Sequence, residues 1–322
     1  MKRLRNAVLA VAALLATSAA GLWAWRPGLD AYAAHAYAAP AAQAGALTAT
    51  WLGNTALLLT DGSSSVLIDP YFTRTHGMLH MLRNGGIGSD EAAVRDGLRR
   101  AGIGRLDAVL VSHSHFDHAL DAGTVARVTG ARLLGSPSTL NIGRGAGVPE
   151  SQLQAMQDGA SARFGALVAT FVESRHAGAT GGAPTGDITR PIAGGRYLDY
   201  KQGGTYSILV EHPQGRVLHH GSAGFAPGAL KGREAEVVFL GVALIDDLPS
   251  YLAEVVDAVG AKRVVPVHWD DFTRPLDEPP RPLPVVVRLD TFFADMGRQR
   301  PDVAVQTFEL FRPAALFPPR TP

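Results

Sequence analysis

From residue 47 onward the chain alternates short apolar runs with amphipathic stretches, which is the pattern of an α/β protein. Strands are predicted over residues 48–52, 56–60 and 64–69, the last two separated by the Asp61-Gly62 turn pair. The run 106–111, a strand at 132–134 and another at 167–173 follow. A second hairpin, 206–211 with 217–220, turns at Pro213-Gln214-Gly215, and strands at 237–240 and 264–267 complete the set. Helical periodicity covers 90–101, begun by Ser89 or Asp90 and stopped at Gly102. Shorter helices are expected around Val125, at 152–157 and at 251–259. Two segments, 73–88 and the Gly-rich 177–204, break the alternation; loops of that length are binding lids or tolerated surface insertions.

The N-terminal pattern differs. Lys2, Arg3 and Arg5 precede nineteen uncharged residues, 7–25, before Arg26. This reads as a secretion signal, with Ser18-Ala19-Ala20 as a cleavage site, or as an uncleaved anchor with Trp23 and Trp25 at the membrane boundary. Either reading puts the bulk of the chain outside the cytoplasm, periplasmic or secreted, with residues 7–25 in the inner membrane if uncleaved. The expected organisation is a signal or anchor at 1–26, an Ala-rich linker at 27–46 and one domain at 47–322.

Composition narrows the chemistry. The chain has 322 residues, 46% hydrophobic and 18% charged, enough for a sizeable core. It has no cysteine, so any metal site must be built from His and carboxylates. Setting aside the three N-terminal cations leaves 27 basic against 29 acidic residues, which argues against a nucleic-acid partner.

Directly after the apolar run 106–111 comes His113-Ser114-His115-Phe116-Asp117-His118, three imidazoles and a carboxylate within six residues. Such density at a strand end points to a metal, because imidazole and carboxylate are ligands of catalytic zinc sites. His176 and His268 stand alone at the ends of two later predicted strands.

Four segments together resemble the metallo-β-lactamase superfamily: Thr50-Trp51-Leu52-Gly53-Asn54-Thr55, Leu67-Ile68-Asp69-Pro70, the six-residue motif, and Val264-Val265-Pro266-Val267-His268-Trp269. The first and last are most similar to the branch of ascorbate-phosphate lactonases and N-acyl-phosphatidylethanolamine phospholipase D enzymes. The resemblance implies a four-layer αββα sandwich with a metal centre along one edge. By motif position it assigns His113, His115 and His176 to one ion, and Asp117, His118 and His268 to another. It gives Asp69 a hydrogen bond to a ligand histidine, although an Asp-Pro pair also forms turns. One or two divalent ions are expected, zinc first, with manganese and iron open.

The chain departs from the family where a bridging aspartate is usual, reading Gly221-Ser222. Ser222 is expected beside the centre, without the charge to join two ions. His219 and His220 are candidates to compensate, one pointing inward and one outward by strand alternation. His76 and His80 are candidates to touch substrate. Asp270 and Asp271 read as exposed loop carboxylates, and His35, His212 and Arg175 as surface residues.

The implied activity is hydrolysis of an ester-type bond by metal-activated hydroxide, with Asp117 orienting the nucleophile. A phosphodiester or lactone is favoured and a β-lactam is open; the substrate is a small molecule or lipid-derived. The alternative is a non-catalytic extracytoplasmic metal-binding protein that keeps the ligand set.

Overall fold

A computed structural model describes residues 2–24, 26–40, 43–74, 77–178, 182–284 and 286–318. Two seven-stranded sheets share one hydrophobic core. The first runs in space Ala314–Ala315, Thr48–Trp51, Leu57–Thr60, Ser65–Ile68, Ala108–Leu110, Arg132–Gly135, Leu153–Ala155. Its pairings are antiparallel through the hairpin and parallel from Ser65–Ile68 outward. The second runs Ala304–Val305, Arg263–Val267, Val237–Gly241, Gly215–His220, Tyr206–His212, Leu167–Glu173, Ser161–Phe164.

The central parallel strands explain their own sequences. Ala108–Leu110 and Val237–Gly241 are buried at every position, as strands covered on both faces must be. Helices Ala122–Thr129 and Pro137–Gly145 cover the first sheet. On the second, Tyr251 of the helix Leu248–Tyr251 donates its hydroxyl to the Gly241 carbonyl at 2.9 Å. The helix Glu91–Arg100 is capped as its sequence requires, the Asp90 side chain accepting from the Ala92 and Ala93 amides.

Several expected elements differ. Residues 152–157 hold the strand Leu153–Ala155 rather than a helix, because the parallel pairing with Arg132–Gly135 outweighs a weak local preference. The helix at 251–259 continues as a π-helical stretch, Leu252–Asp257. The strand Ser161–Phe164, with alternate residues buried, and the helix Leu289–Gln299 were not expected.

Part of the 27–46 segment packs onto the domain. Leu29–His35 forms a 3-10 helix, Tyr32 is buried against Phe293, and the His35 ring stacks on Phe293 at 3.9 Å. Arg26 pairs with Asp271 at 2.7 Å with both side chains buried. Aromatic contacts thus fasten part of the Ala-rich segment to the domain.

Residues Lys2–Ala24 form a helix with Leu4, Val8, Leu9, Val11, Leu14 and Leu15 exposed. Among the described residues no helix is long and apolar enough to cross a membrane.

Candidate metal centre

Strand ends from both sheets meet at one edge, where six side chains form two sets. His113, His115 and His176 make one, Asp117, His118 and His268 the other, and within each set the ligand atoms lie within 4.8 Å of one another. The first three rings form a near-equilateral triangle, with centroids 4.9, 4.8 and 4.7 Å apart and planes 69–78° to one another. The three rings thus surround one space within which their ligand atoms lie close together.

Local structure fixes each ligand. The strand Ala108–Leu110 delivers His113, and the short helix Phe116–Ala119 starts at His115, which swings Asp117 and His118 away toward the second set. His176 follows the strand Leu167–Glu173, and its Nδ1 donates to the Ala177 carbonyl at 2.8 Å, which leaves Nε2 unprotonated and 3.1 Å from His115 Nδ1. His115 Nε2 is 3.3 Å from the Pro184 carbonyl and takes the proton on that side. His118 Nδ1 faces Asp69 Oδ2 at 2.9 Å, again reserving Nε2 for the site. Asp69 also accepts from the Ser112 amide at 2.7 Å and the Ser112 hydroxyl at 2.5 Å. Giving the other ring nitrogen an acceptor is what orients a metal-binding histidine.

The electrostatics fit a cation. Burial holds His113 well below the ordinary imidazole range and brings His115 to about 4, so both rings are neutral with free lone pairs. His118 behaves oppositely: burial pulls its pKa down, but Asp117 and Asp69 outweigh it and raise it to about 10. Two buried carboxylates therefore favour positive charge at this point, carried by the second His118 proton in the metal-free protein and open to replacement by an ion at Nε2; His118 Nε2 lies 3.4 Å and His268 Nε2 3.1 Å from Asp117 Oδ2. His113 Nε2 is buried with no hydrogen-bond partner among the described residues, an arrangement that leaves a desolvation penalty unless a cation meets it. The donor set, five imidazoles and one carboxylate without thiolate, suits a divalent ion of the zinc, manganese or iron type.

Backbone strain concentrates here. Asn54, Asp69, Arg74 and His268 are non-glycine residues with φ of 49°, 46°, 38° and 58°. Such conformations persist where surrounding contacts impose them, and they gather at functional sites.

The other candidates sort as follows. Ser222 Oγ accepts from the Ala177 amide at 2.9 Å, holding the turn after His176. His219 is buried with Nε2 on the Thr55 carbonyl at 2.8 Å. His220 is buried on the opposite face, with both nitrogens engaged, by the Ser207 hydroxyl and the Gly224 carbonyl at 2.7 Å each. Neither belongs to the two ligand sets, so the geometry gives no compensating ligand at these positions. His80 bonds the Gly86 carbonyl at 2.9 Å and packs on Tyr197; His76 lies outside the described residues. Asp270 and Asp271 are buried, not exposed, because Arg74 and Arg26 neutralise them. His212 is likewise sheltered, 3.6 Å from Asp61, whereas Arg175 is exposed as expected.

The two long loops form one unit. Gly86–Ile87 pairs antiparallel with Gly195–Arg196, and Tyr197 packs edge-on against Phe116 at 4.7 Å. Gln202 accepts from the Ser114 amide at 2.8 Å, so the second loop sits directly on the ligand segment.

The β-lactamase superfamily domain matches residues 64–269. The chain belongs to the metallo-β-lactamase superfamily. It is 26% identical over 231 residues to a UPF0173 metal-dependent hydrolase of Pyrobaculum islandicum, covering 69% of this chain and 84% of the relative. It is 28% identical over 230 residues to one of Rubrobacter xylanophilus, covering 69% and 81%. Among solved structures, Igni18, a metallo hydrolase from Ignicoccus hospitalis, superimposes with a TM-score of 0.51 at 16% identity over 83% of this chain and 97% of that one. With this family and these relatives, the superfamily member described here is a metal-dependent hydrolase.

Proposed function

We propose that the enzyme hydrolyses an ester-type bond, a phosphodiester or a lactone, in a small or lipid-derived molecule, with zinc as its ion. The observation that carries the proposal is the pair of adjacent ligand sets on one sheet edge, where the second contains a carboxylate. A divalent ion bound there supplies Lewis acidity, polarising the bond under attack and lowering the pKa of water. The residues do the rest. Asp117 stays ionised across the neutral range, since burial, which raises its pKa, is outweighed by His118 and His268. Its carboxylate is therefore a standing hydrogen-bond acceptor that orients attacking water. Asp69 and the Pro184 and Ala177 carbonyls keep His118, His115 and His176 in the tautomers that present lone pairs inward. The loop unit rests on Ser114 and Phe116 and so braces the segment that carries His113, His115 and Asp117.

The branch resemblance of the first and last motif segments supports the phosphodiester or lactone preference. The basic start at Lys2, Arg3 and Arg5, followed by uncharged residues 7–25, supports export from the cytoplasm. A panel of bis(p-nitrophenyl) phosphate, simple lactones, p-nitrophenyl esters and a chromogenic β-lactam, run with zinc, manganese and iron, tests the substrate class. Turnover of the phosphodiester or a lactone is expected; turnover confined to the β-lactam overturns the proposed bond type.

A further inference from the structure

We infer that Asn54 is a positioning residue which locks Asp117 and His268 into one register and so sets the affinity of the ion they hold with His118. The inference rests on the metal-centre reading above. Asp117 and His268 are 151 residues apart and come from different sheets, and one buried residue ties both. The Asn54 side-chain amide donates to the Asp117 carbonyl at 2.7 Å and reaches Asp117 Oδ2 at 3.4 Å. Its own carbonyl accepts from the His268 amide at 3.0 Å and from the Trp51 indole at 2.9 Å. Its amide is anchored on Asp270 Oδ1 at 2.7 Å, and Asp270 is held by Arg74 at 3.0 Å.

Two further atoms point the same way. Asn54 Oδ1 and His268 Nδ1 are both buried without a hydrogen-bond partner among the described residues. An abandoned buried acceptor is destabilising. A histidine that gives its Nε2 lone pair to an ion carries its proton on Nδ1 and needs an acceptor there. The Asn54 oxygen is a buried acceptor on the residue whose backbone carbonyl already bonds the His268 amide. A rigid tie matters more in this chain because position 222, a serine, contributes no carboxylate to span two ions.

Asn54→Gly removes the side chain while suiting the φ of 49°. Stripped wild type and variant are titrated with Zn²⁺ against a chromophoric chelator, with elemental analysis of bound metal and the melting temperature of each metal-free form. Two ions are expected in the wild type. In the variant one should weaken roughly 10- to 100-fold, the range for losing a partner of a ligand, while the other keeps its affinity. Unchanged affinity for both ions, or equal weakening of both, overturns the inference. Should the variant fail to fold, amide NMR of the wild type decides. The Asn54 side-chain signals should shift as the Asp117, His118 and His268 set fills; signals indifferent to both ions reject the role. A wild type that binds no ion overturns the metal centre itself and the inference with it, an outcome distinct from failure in the variant alone.

Discussion

Replacing Asp69 by asparagine changes one atom and leaves no arrangement of the site intact. In the native chain Oδ1 accepts from the Ser112 amide, and Oδ2 accepts from the Ser112 hydroxyl and His118 Nδ1. If the asparagine oxygen takes the Oδ2 place, its NH₂ faces the Ser112 amide, donor against donor. If it takes the Oδ1 place, the NH₂ faces His118 and drives the ring proton to Nε2, where a lone pair is needed. One charge-assisted bond is lost either way, about 1.5–3 kcal/mol. The ion held by Asp117, His118 and His268 should weaken roughly 10- to 100-fold, about 1.4–2.8 kcal/mol. Competition against a chelator of known affinity reads the binding, and thermal melting of the metal-free protein reads the fold. Affinity within about twofold of wild type, in a variant that melts like wild type, would refute the claim that Asp69 fixes the His118 tautomer.

Other outcomes follow from the same geometry. His115→Ala should abolish hydrolysis and lose the ion of the three-histidine set, measured by turnover and elemental analysis; an undiminished rate removes the hydrolase site from this edge. Gly224→Ala should weaken that set too, because an added Cβ comes within 2.5 Å of the Arg175 and His176 backbone; retained affinity would show that His176 tolerates displacement. The metal-free chain should lose stability toward both pH extremes. Burial holds His115 and His220 at about 4 against 6.5 for a free imidazole, so their contribution is full above about 6.5 and lost as pH falls toward 4. His118, raised to about 10 by Asp117 and Asp69 against burial, contributes fully below 6.5 and loses this as pH rises through 10. Melting curves from pH 4 to 10 test both limbs, and a flat profile contradicts them.

Much of the centre was legible in the primary structure because ligands crowd at strand ends. The six-residue motif announces its metal by density, and lone histidines closing apolar runs complete both sets. What stayed hidden depends on contacts between distant segments. Asp270 reads as a solvated loop carboxylate, and only the arrival of Arg74 makes its burial affordable. Asn54 lies inside the segment Thr50-Trp51-Leu52-Gly53-Asn54-Thr55, yet its reach to Asp117 and His268 requires both sheets in place. The stretch 152–157 has too few apolar residues to declare a strand, and its parallel neighbour decides the matter. His219 and His220 follow the expected alternation, but which ring faces the site side needed the pairing of Ile208 with His219.

The most direct test of the account is the metal content of the full chain after stripping with chelator, reloading with zinc and desalting. Two ions per chain are predicted, falling in the His115→Ala variant. A wild-type chain that retains none, or a variant that retains as much as wild type, contradicts a metal centre built on these six side chains.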